Sequence, residues 1–210
     1  ARSVGFGHVA FQYEPIAAAF DYESHISPEE LVLIADIGGG TSDFSLVRLS
    51  PQRALKADRR DDILATGGVH IGGTDFDKYL SLDAAMPLLG YKSLLKNNSE
   101  IPSSYYFNLA TWHTINQAYT RKAAAQLEDL VRDAQEPARL VRLQNLIEDR
   151  SGHWLAMKME EGKIALSDSA TATLDLDRLS PPDMLTLQRD RFEAATGHLV
   201  LSCEQAVTKM

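Results

Sequence analysis

The chain has little cysteine, little excess positive charge and no long apolar run, and each shortage excludes a class of protein. Cys203 is the single cysteine, so no disulfide framework can form and a reducing cytoplasm is the expected compartment. The net charge of −8 argues against a general nucleic-acid binder, which needs clustered lysine and arginine. No apolar run reaches the length of a membrane span, and residues 1–20 lack the layout of a signal peptide.

What remains is the composition of an ordinary globular protein. At 210 residues the chain can form one large domain or two smaller ones. The 6 histidines show no metal-ligand spacing, which argues against a structural zinc site. Because the sequence starts at Ala1 without a methionine, we expect it to be a piece of a longer protein.

The most informative segment covers residues 31–43, where an apolar run leads to a carboxylate, three glycines, a hydroxyl and a second carboxylate. Glycines at 38–40 allow successive backbone amides to turn toward a ligand, and such amides form an anion site. Asp36 and Asp43 would repel phosphate oxygens, so they imply a bridging cation, which we expect to be hydrated Mg²⁺. The segment therefore predicts a cradle for nucleotide phosphates.

Two familiar phosphate loops do not fit this segment. A Walker loop needs a lysine after its glycines, and none follows here. A dinucleotide fingerprint needs a helix after the glycines, whereas Thr41, Phe44, Val47 and Leu49 favour a strand. Strand, glycine turn and strand is the predicted order. An ordinary glycine-rich hairpin turn is the alternative, although such a turn does not need an aspartate on both sides.

The remaining pattern predicts a sheet region followed by a helical one. A helix is expected to begin at Glu14-Pro15, because proline is tolerated in the first turn. Strands are predicted at 9–11, 31–37, 44–49, 63–69 and 172–176. Helices are predicted at 74–79 with Thr74 as N-cap, at 127–134, 140–147 and 154–167, and from Pro181-Pro182 onward. We expect a sheet subdomain of residues 1–79 and 188–210, and an inserted, mainly helical subdomain of residues 80–187 with extra helices at about 104–150.

Four segments in this order resemble the ATPase domain of the seventy-kilodalton heat-shock (DnaK-like) chaperone family, and most closely its atypical YegD-like branch. They are residues 14–19 (EPIAAA), 36–43 (DIGGGTSD), 70–77 (HIGGTDFD) and 160–167 (EEGKIALS). The resemblance implies an α/β protein with the actin-like ATPase (ribonuclease H-like) fold. This chain would be its second lobe, a mixed β-sheet with flanking helices and the helical insertion.

The resemblance also implies roles for the residues that bind the phosphates. By this similarity Gly38, Gly39 and Gly40 contact the β- and γ-phosphates, and the Thr41 hydroxyl lies near the γ-phosphate. Gly72 and Gly73 approach the phosphates from another side. Asp36 and Glu14 hold water ligands of Mg²⁺ or orient the attacking water, and Asp43 supports them.

The adenosine of ATP or ADP is assigned to one helix face. The resemblance gives this role to Glu160, Lys163 and Ser167, whose spacings of three and four residues place them on a common face. A surface ion pair between Glu160 and Lys163 is the alternative interpretation of the same spacing.

Several residues depart from the family pattern. Ser42 stands where the family usually has an aromatic residue, Thr74 where it has an acidic one, and Ile164 where it has an arginine. The loop at 67–69 is shorter, and the phosphate loop and catalytic lysine of the first lobe are absent. We therefore expect about half of a nucleotide site, with negligible hydrolysis by this chain alone.

These observations predict a nucleotide-binding part of a DnaK-like chaperone whose full-length parent hydrolyses ATP with Mg²⁺ to drive lobe closure. Two alternatives stay open: a metabolite kinase or phosphatase of the same fold, and a scaffold that binds nucleotide without hydrolysing it. The helices at 104–150 are either a surface for an exchange factor or co-chaperone, or extra core packing.

Overall fold

The computed structural model describes all 210 residues. Helices contain 54% of them and strands 19%, so the chain is a mixed α/β protein, as the sequence predicts. It forms two compact units, one of residues 1–70 with 202–210 and the other of residues 71–201. No helix combines the length and hydropathy that a membrane span requires.

The first unit is a three-stranded sheet with the strand order β1-β2-β3. Its elements are α1 (Glu14–Glu23), β1 (Glu30–Ile37), β2 (Ser42–Leu49), α2 (Pro51–Ala54) and β3 (Ile63–Val69). The three main predicted strands and the predicted start of α1 are confirmed. The strand predicted at 9–11 is wrong, because these residues have no regular structure.

Every strand pairing in this sheet is antiparallel, so the predicted mixed sheet is wrong for this chain. Between β1 and β2 the reason is the length of the connection, because residues 38–41 are too few for the crossover of about a dozen residues that a parallel neighbour needs. The longer segment 50–62 also returns the chain as an antiparallel neighbour.

Helix α1 covers one face of the sheet and fixes which residues share that face. Its buried Ile16 and Ala19 pack with Val47 and Leu49 of β2. The register places residues 32, 34 and 36 of β1 opposite residues 47, 45 and 43 of β2. The covered face therefore starts with apolar side chains and ends, at the glycine turn, with the pair Asp36 and Asp43. On the other face, Leu31, Leu33 and Ile37 are exposed.

A buried ionic network supports this small apolar core. The guanidinium of Arg59 donates two hydrogen bonds to the Glu23 carboxylate, at 2.8 and 3.0 Å, and also pairs with Asp62. Arg53 donates to Asp62, and the backbone N–H of Ser50 donates to Glu23 at 3.0 Å. Glu23, Arg59 and Asp62 are each no more than 3% exposed. The network ties α1 to the segments on either side of α2.

The second unit is mainly helical, with one β-hairpin. Its elements are α3 (Gly73–Leu80), α4 (Ser104–Ala110), α5 (Arg121–Asp133), α6 (Pro137–Glu148), α7 (Gly152–Asp168), β4 (Thr171–Leu176), β5 (Asp183–Gln188) and α8 (Arg189–Thr208), whose last residues belong to the first unit. A continuous apolar core runs from Leu80 to Leu187 and includes Tyr106, Leu127 and Leu143.

Most of the helices predicted in this unit are confirmed, but the last one starts later than predicted. The chain forms β5 after Pro181-Pro182, and the helix begins only at Arg189. Prolines cannot donate ladder hydrogen bonds, which is why β5 starts after them and pairs with β4. Helix α7 packs closely on this hairpin, because a Cβ atom at Gly162 would overlap the Leu187 side chain.

Candidate functional site

The triple-glycine segment forms the tight turn between β1 and β2. The backbone N–H of Gly38 donates to the Thr41 carbonyl at 2.9 Å and closes this turn. Gly38, Gly39, Gly40 and Thr41 are all exposed. A Cβ atom at Gly40 would meet nothing within 4 Å, and one at Gly38 would meet only the Thr41 carbonyl oxygen at 3.6 Å. Packing within the chain therefore does not explain why glycine occupies these two positions.

Three predicted acidic residues lie around one small cavity beside this turn. Glu14, at the start of α1, lines it together with Asp36 of β1 and Asp43 of β2. The cavity measures about 40 Å³. Asp36 and Asp43 are directly opposite each other in the strand register. Because like charges placed opposite each other repel, this pair costs the sheet stability in the absence of a cation.

The carboxylate of Asp43 also borders a second cavity of about 260 Å³, which Thr41 and Gly68 line as well. A Cβ atom at Gly68 would lie 2.6 Å from Asp43 Oδ1, so the missing side chain leaves room for this carboxylate. Residues 67–69, described from the family pattern as a loop, are the end of β3, in agreement with the strand predicted at 63–69. Gly68 is the register partner of Asp43 in the antiparallel pairing.

In the second unit, Gly72 and Gly73 form the start of helix α3. The N-cap is Gly72, so the predicted N-cap Thr74 is wrong. The Asp75 carboxylate accepts from the Gly72 N–H at 3.0 Å, which satisfies an otherwise unpaired amide and places negative charge at the positive end of the helix. A side-chain cap at position 74 is unnecessary once Asp75 fulfils this role.

Lys163 connects α7 to the start of α3. Its ammonium pairs with the Asp77 carboxylate at 2.8 Å and donates to the Gly73 carbonyl at 3.2 Å. Burial raises the pKa of Asp77, and the nearby Glu160 adds to the rise, although Lys163 partly offsets it. Sequence reasoning assigned Lys163 to adenosine and missed Asp77 as its partner. The sequence did indicate Asp77 as a candidate, because it belongs to the quoted segment 70–77 that also contains Gly72 and Gly73.

The three residues predicted to hold adenosine border two different cavities. Glu160 lines a cavity of about 240 Å³ with Thr74, Asp77 and the half-exposed Trp112. Lys163 and Ser167 line another of about 310 Å³, together with Arg189. Trp112 and Arg189 were not among the predicted site residues, because neither belongs to the four segments to which the resemblance assigns a site role.

A protein-only metal site is absent, since no group of three or more His, Cys, Asp or Glu side chains is arranged to hold an ion. Mg²⁺ bound with a nucleotide does not need one, because it keeps several waters and takes one or two carboxylates plus phosphate oxygens. Glu14, Asp36 and Asp43 around one cavity fit that second type of site.

No protein-family model matches this chain. The resemblance to the DnaK-like family therefore rests on the four segments quoted above.

Proposed function

We propose that this chain is the nucleotide-binding second lobe of a DnaK-like chaperone with the actin-like ATPase (ribonuclease H-like) fold. The full-length parent would hydrolyse ATP with Mg²⁺ in the cytoplasm. The observation that carries the proposal is the convergence of Glu14, Asp36 and Asp43 on one cavity beside the triple-glycine turn. Phosphoryl transfer to water mainly requires placement and charge neutralisation, which amides, a metal and one or two carboxylates supply.

The turn itself supports phosphate binding. A Cβ atom at Gly38 or Gly40 would not clash within the chain, so the space beside the turn is open to a ligand. A phosphate that approaches the backbone amides closely would use the absence of side chains there. The proposed contacts are Gly38, Gly39 and Gly40 with the β- and γ-phosphates, and the Thr41 hydroxyl with the γ-phosphate.

The acidic residues supply the proposed metal function. Glu14 and Asp36 would accept hydrogen bonds from water ligands of Mg²⁺, and Asp43 would support them from across the strand pair. The metal, when bound, would neutralise phosphate charge and relieve the repulsion between Asp36 and Asp43. Gly72 and Gly73 would add phosphate contacts, and Glu160, Lys163 and Ser167 would hold the adenosine.

Ser42 bears on the alternative of a scaffold that does not hydrolyse ATP. Ser42 is one of three departures from the family pattern, with Thr74 and the shorter segment at 67–69, that favour this alternative, and its side chain is only 1% exposed. A buried serine does not change the exposed surface of the turn, so it gives no reason to expect lost hydrolysis. Single-turnover hydrolysis by the full-length protein, compared with its Asp36→Asn variant, separates the two functions.

The helices at 104–150 would present any surface for an exchange factor or co-chaperone. Tyr106, Leu127 and Leu143 of this segment lie in the apolar core, so the segment also has a packing role. Deleting it would expose that core. Substitution of its exposed residues is therefore the cleaner test of partner binding.

The phosphate site is tested by titrating the ¹⁵N-labelled chain with Mg²⁺-pyrophosphate and Mg²⁺-ATP. We expect shifts of the amides at 38–41, an affinity on the order of millimolar, equivalent to about 4 kcal/mol, and negligible turnover. Gly40→Ala should weaken binding without unfolding the chain. Gly7→Ala is the matched control, because a Cβ atom there also meets nothing within 4 Å. Unmoved amides at 38–41, or equal effects of the two variants, would overturn the proposal.

A further inference from the structure

A cavity between the end of α7 and the start of α8 has no role among the phosphate contacts. It measures about 310 Å³ and is lined by Lys163, Leu166, Ser167, Arg189, Phe192 and Glu193. Two of these, Lys163 and Ser167, are residues to which the proposed function assigns adenosine. The cavity is also large enough and mixed enough in polarity to admit a small ring system.

The guanidinium of Arg189 is held in a fixed orientation in this cavity. Its Nε donates to the Leu166 carbonyl at 2.7 Å, and its Nη2 donates to the Ser167 carbonyl at 3.1 Å. The Arg189 backbone N–H donates to the Ala170 carbonyl at 2.9 Å. Both side-chain bonds lie at the edge of the guanidinium and leave its planar faces uncovered by hydrogen bonds. An arginine plane that is already ordered loses little entropy when it stacks on a ring.

None of the three α7 residues that line this cavity, Lys163, Leu166 and Ser167, has a planar side chain. Ile164 is 60% exposed, can pack against a ring but cannot stack on one as a guanidinium does, and does not line this cavity. Arg189 lies 25 positions further along the sequence, yet the β4-β5 hairpin returns the chain so that it meets the end of α7.

We infer that Arg189 is the residue on which the base of the bound nucleotide stacks, with Lys163 and Ser167 contacting the same nucleoside. This inference rests on the proposed nucleotide-binding function and names the adenosine subsite within it. Stacking of a π face on a guanidinium combines dispersion with a cation–π attraction.

The cavity beside Trp112 is the competing location for the base. Trp112 offers an aromatic ring, but Asp77 and Glu160 make that cavity acidic. Because Asp77 is paired with Lys163 of the Arg189 cavity, the remaining charges are Glu160 in the first cavity and Arg189 with Glu193 in the second. Because a nucleotide brings several negative charges, the second environment suits it better.

The test is a titration of the chain with adenosine, ADP and pyrophosphate, followed by NMR. The Arg189 side-chain Nε–H and the Ser167 amide report on one cavity, and the Trp112 indole N–H reports on the other. We expect adenosine and ADP to shift the first two signals and to leave the indole unmoved. A shift confined to the indole would overturn the inference.

Variants give the second part of the test. Arg189→Ala should weaken adenosine and ADP binding about tenfold, the usual effect of removing a stacking partner, without changing pyrophosphate binding. Arg189→Lys keeps the charge but lacks the plane, and should lose nearly as much. Arg191→Ala is the matched control, because Arg191 lies one step along α8 and pairs with Asp83 at 2.9 Å. Its affinities should be unchanged.

The outcomes separate the inference from the function on which it rests. Unchanged adenosine affinity in the Arg189 variants overturns the inference alone, as does pyrophosphate binding without any binding of adenosine. Failure of pyrophosphate, ADP and adenosine together overturns the proposed function as well. If Arg189→Ala does not fold, the adenosine affinity of the Arg189→Lys variant and the NMR shifts of the unaltered chain still test whether the base stacks on Arg189.

Discussion

The two compact units of this protein are stabilised in different ways. Residues 71–201 surround a continuous apolar core, whereas the buried core of the other unit consists of Ile16, Ala19, Val47 and Leu49. That smaller unit adds the buried network around Arg59. The comparison shows that the predicted phosphate site lies on the unit with the smaller apolar core, at the exposed end of a hairpin. Because a ligand that binds only the folded state adds to its stability, phosphate binding can contribute noticeably to the stability of this unit.

The largest effect of a substitution on stability is expected in the unit of residues 71–201. Leu143→Ala removes a fully buried side chain of α6 and should lower the free energy of unfolding by roughly 3.5 kcal/mol, through lost burial and a residual cavity. Native-state hydrogen exchange should show the loss at the amides of α6 and α7. If the amides of β2 lose as much protection, the two units unfold together and the contrast between them does not hold.

The ionic network gives the corresponding test in the other unit. Arg59→Met leaves the buried carboxylates of Glu23 and Asp62 without their main partner and should cost about 3 kcal/mol. Hydrogen exchange in α1 and β2 should report it. Arg48→Met is the control, because Arg48 forms only an exposed pair with Glu29 at 3.5 Å and should cost little. Equal effects of both variants would contradict a stabilising role for the buried network.

Lowering the pH should change the stability of the two units in different ways. Burial raises the pKa of Asp62, but hydrogen bonds from Arg59 and Arg53 outweigh it and hold the pKa below its usual value. The stability that Asp62 contributes is present above its unfolded pKa, which is about 4, and is lost as the pH falls through the lower folded value.

Asp77 should respond in the opposite direction. Its pKa is raised by burial, so its contribution to stability is full below the unfolded pKa and falls as the pH rises through the folded value. Exchange measured between about pH 6 and pH 3 should therefore show β2 losing protection in acid before α3 does. Parallel losses in both units would count against these assignments.

The smallest effect concerns the opposed pair in the strand register. Asp36→Asn removes the repulsion with Asp43 and should stabilise the first unit by a few tenths of a kcal/mol. The same variant should weaken binding of Mg²⁺-pyrophosphate, because it removes a proposed partner of the hydrated metal. Thermal unfolding and the NMR titration measure the two effects. A variant that is less stable yet binds normally would show that the pair has a structural role only.

Local patterns predicted most of the elements, and the failures have identifiable causes. The strands 31–37 and 63–69 follow from β-branched and apolar runs, and the predicted helix 154–167 from its apolar spacing. Threonine is a common N-cap residue, but the N-cap of α3 is Gly72, two residues before Thr74, because the Asp75 carboxylate accepts from the Gly72 N–H. Pro181-Pro182 is typical of a helix start, yet pairing with β4 made the following residues a strand.

The sequence by itself determined the residues that can turn an amide toward an anion and the carboxylates on either side of them, because these depend on residue type and order. Tertiary structure decided which side chains meet. Only packing of α1 on the sheet brings Glu14 to Asp36, and only the return of the β4-β5 hairpin brings Arg189 to the end of α7. Such contacts join residues far apart in the chain, and their partners depend on how whole elements pack, which no local pattern records.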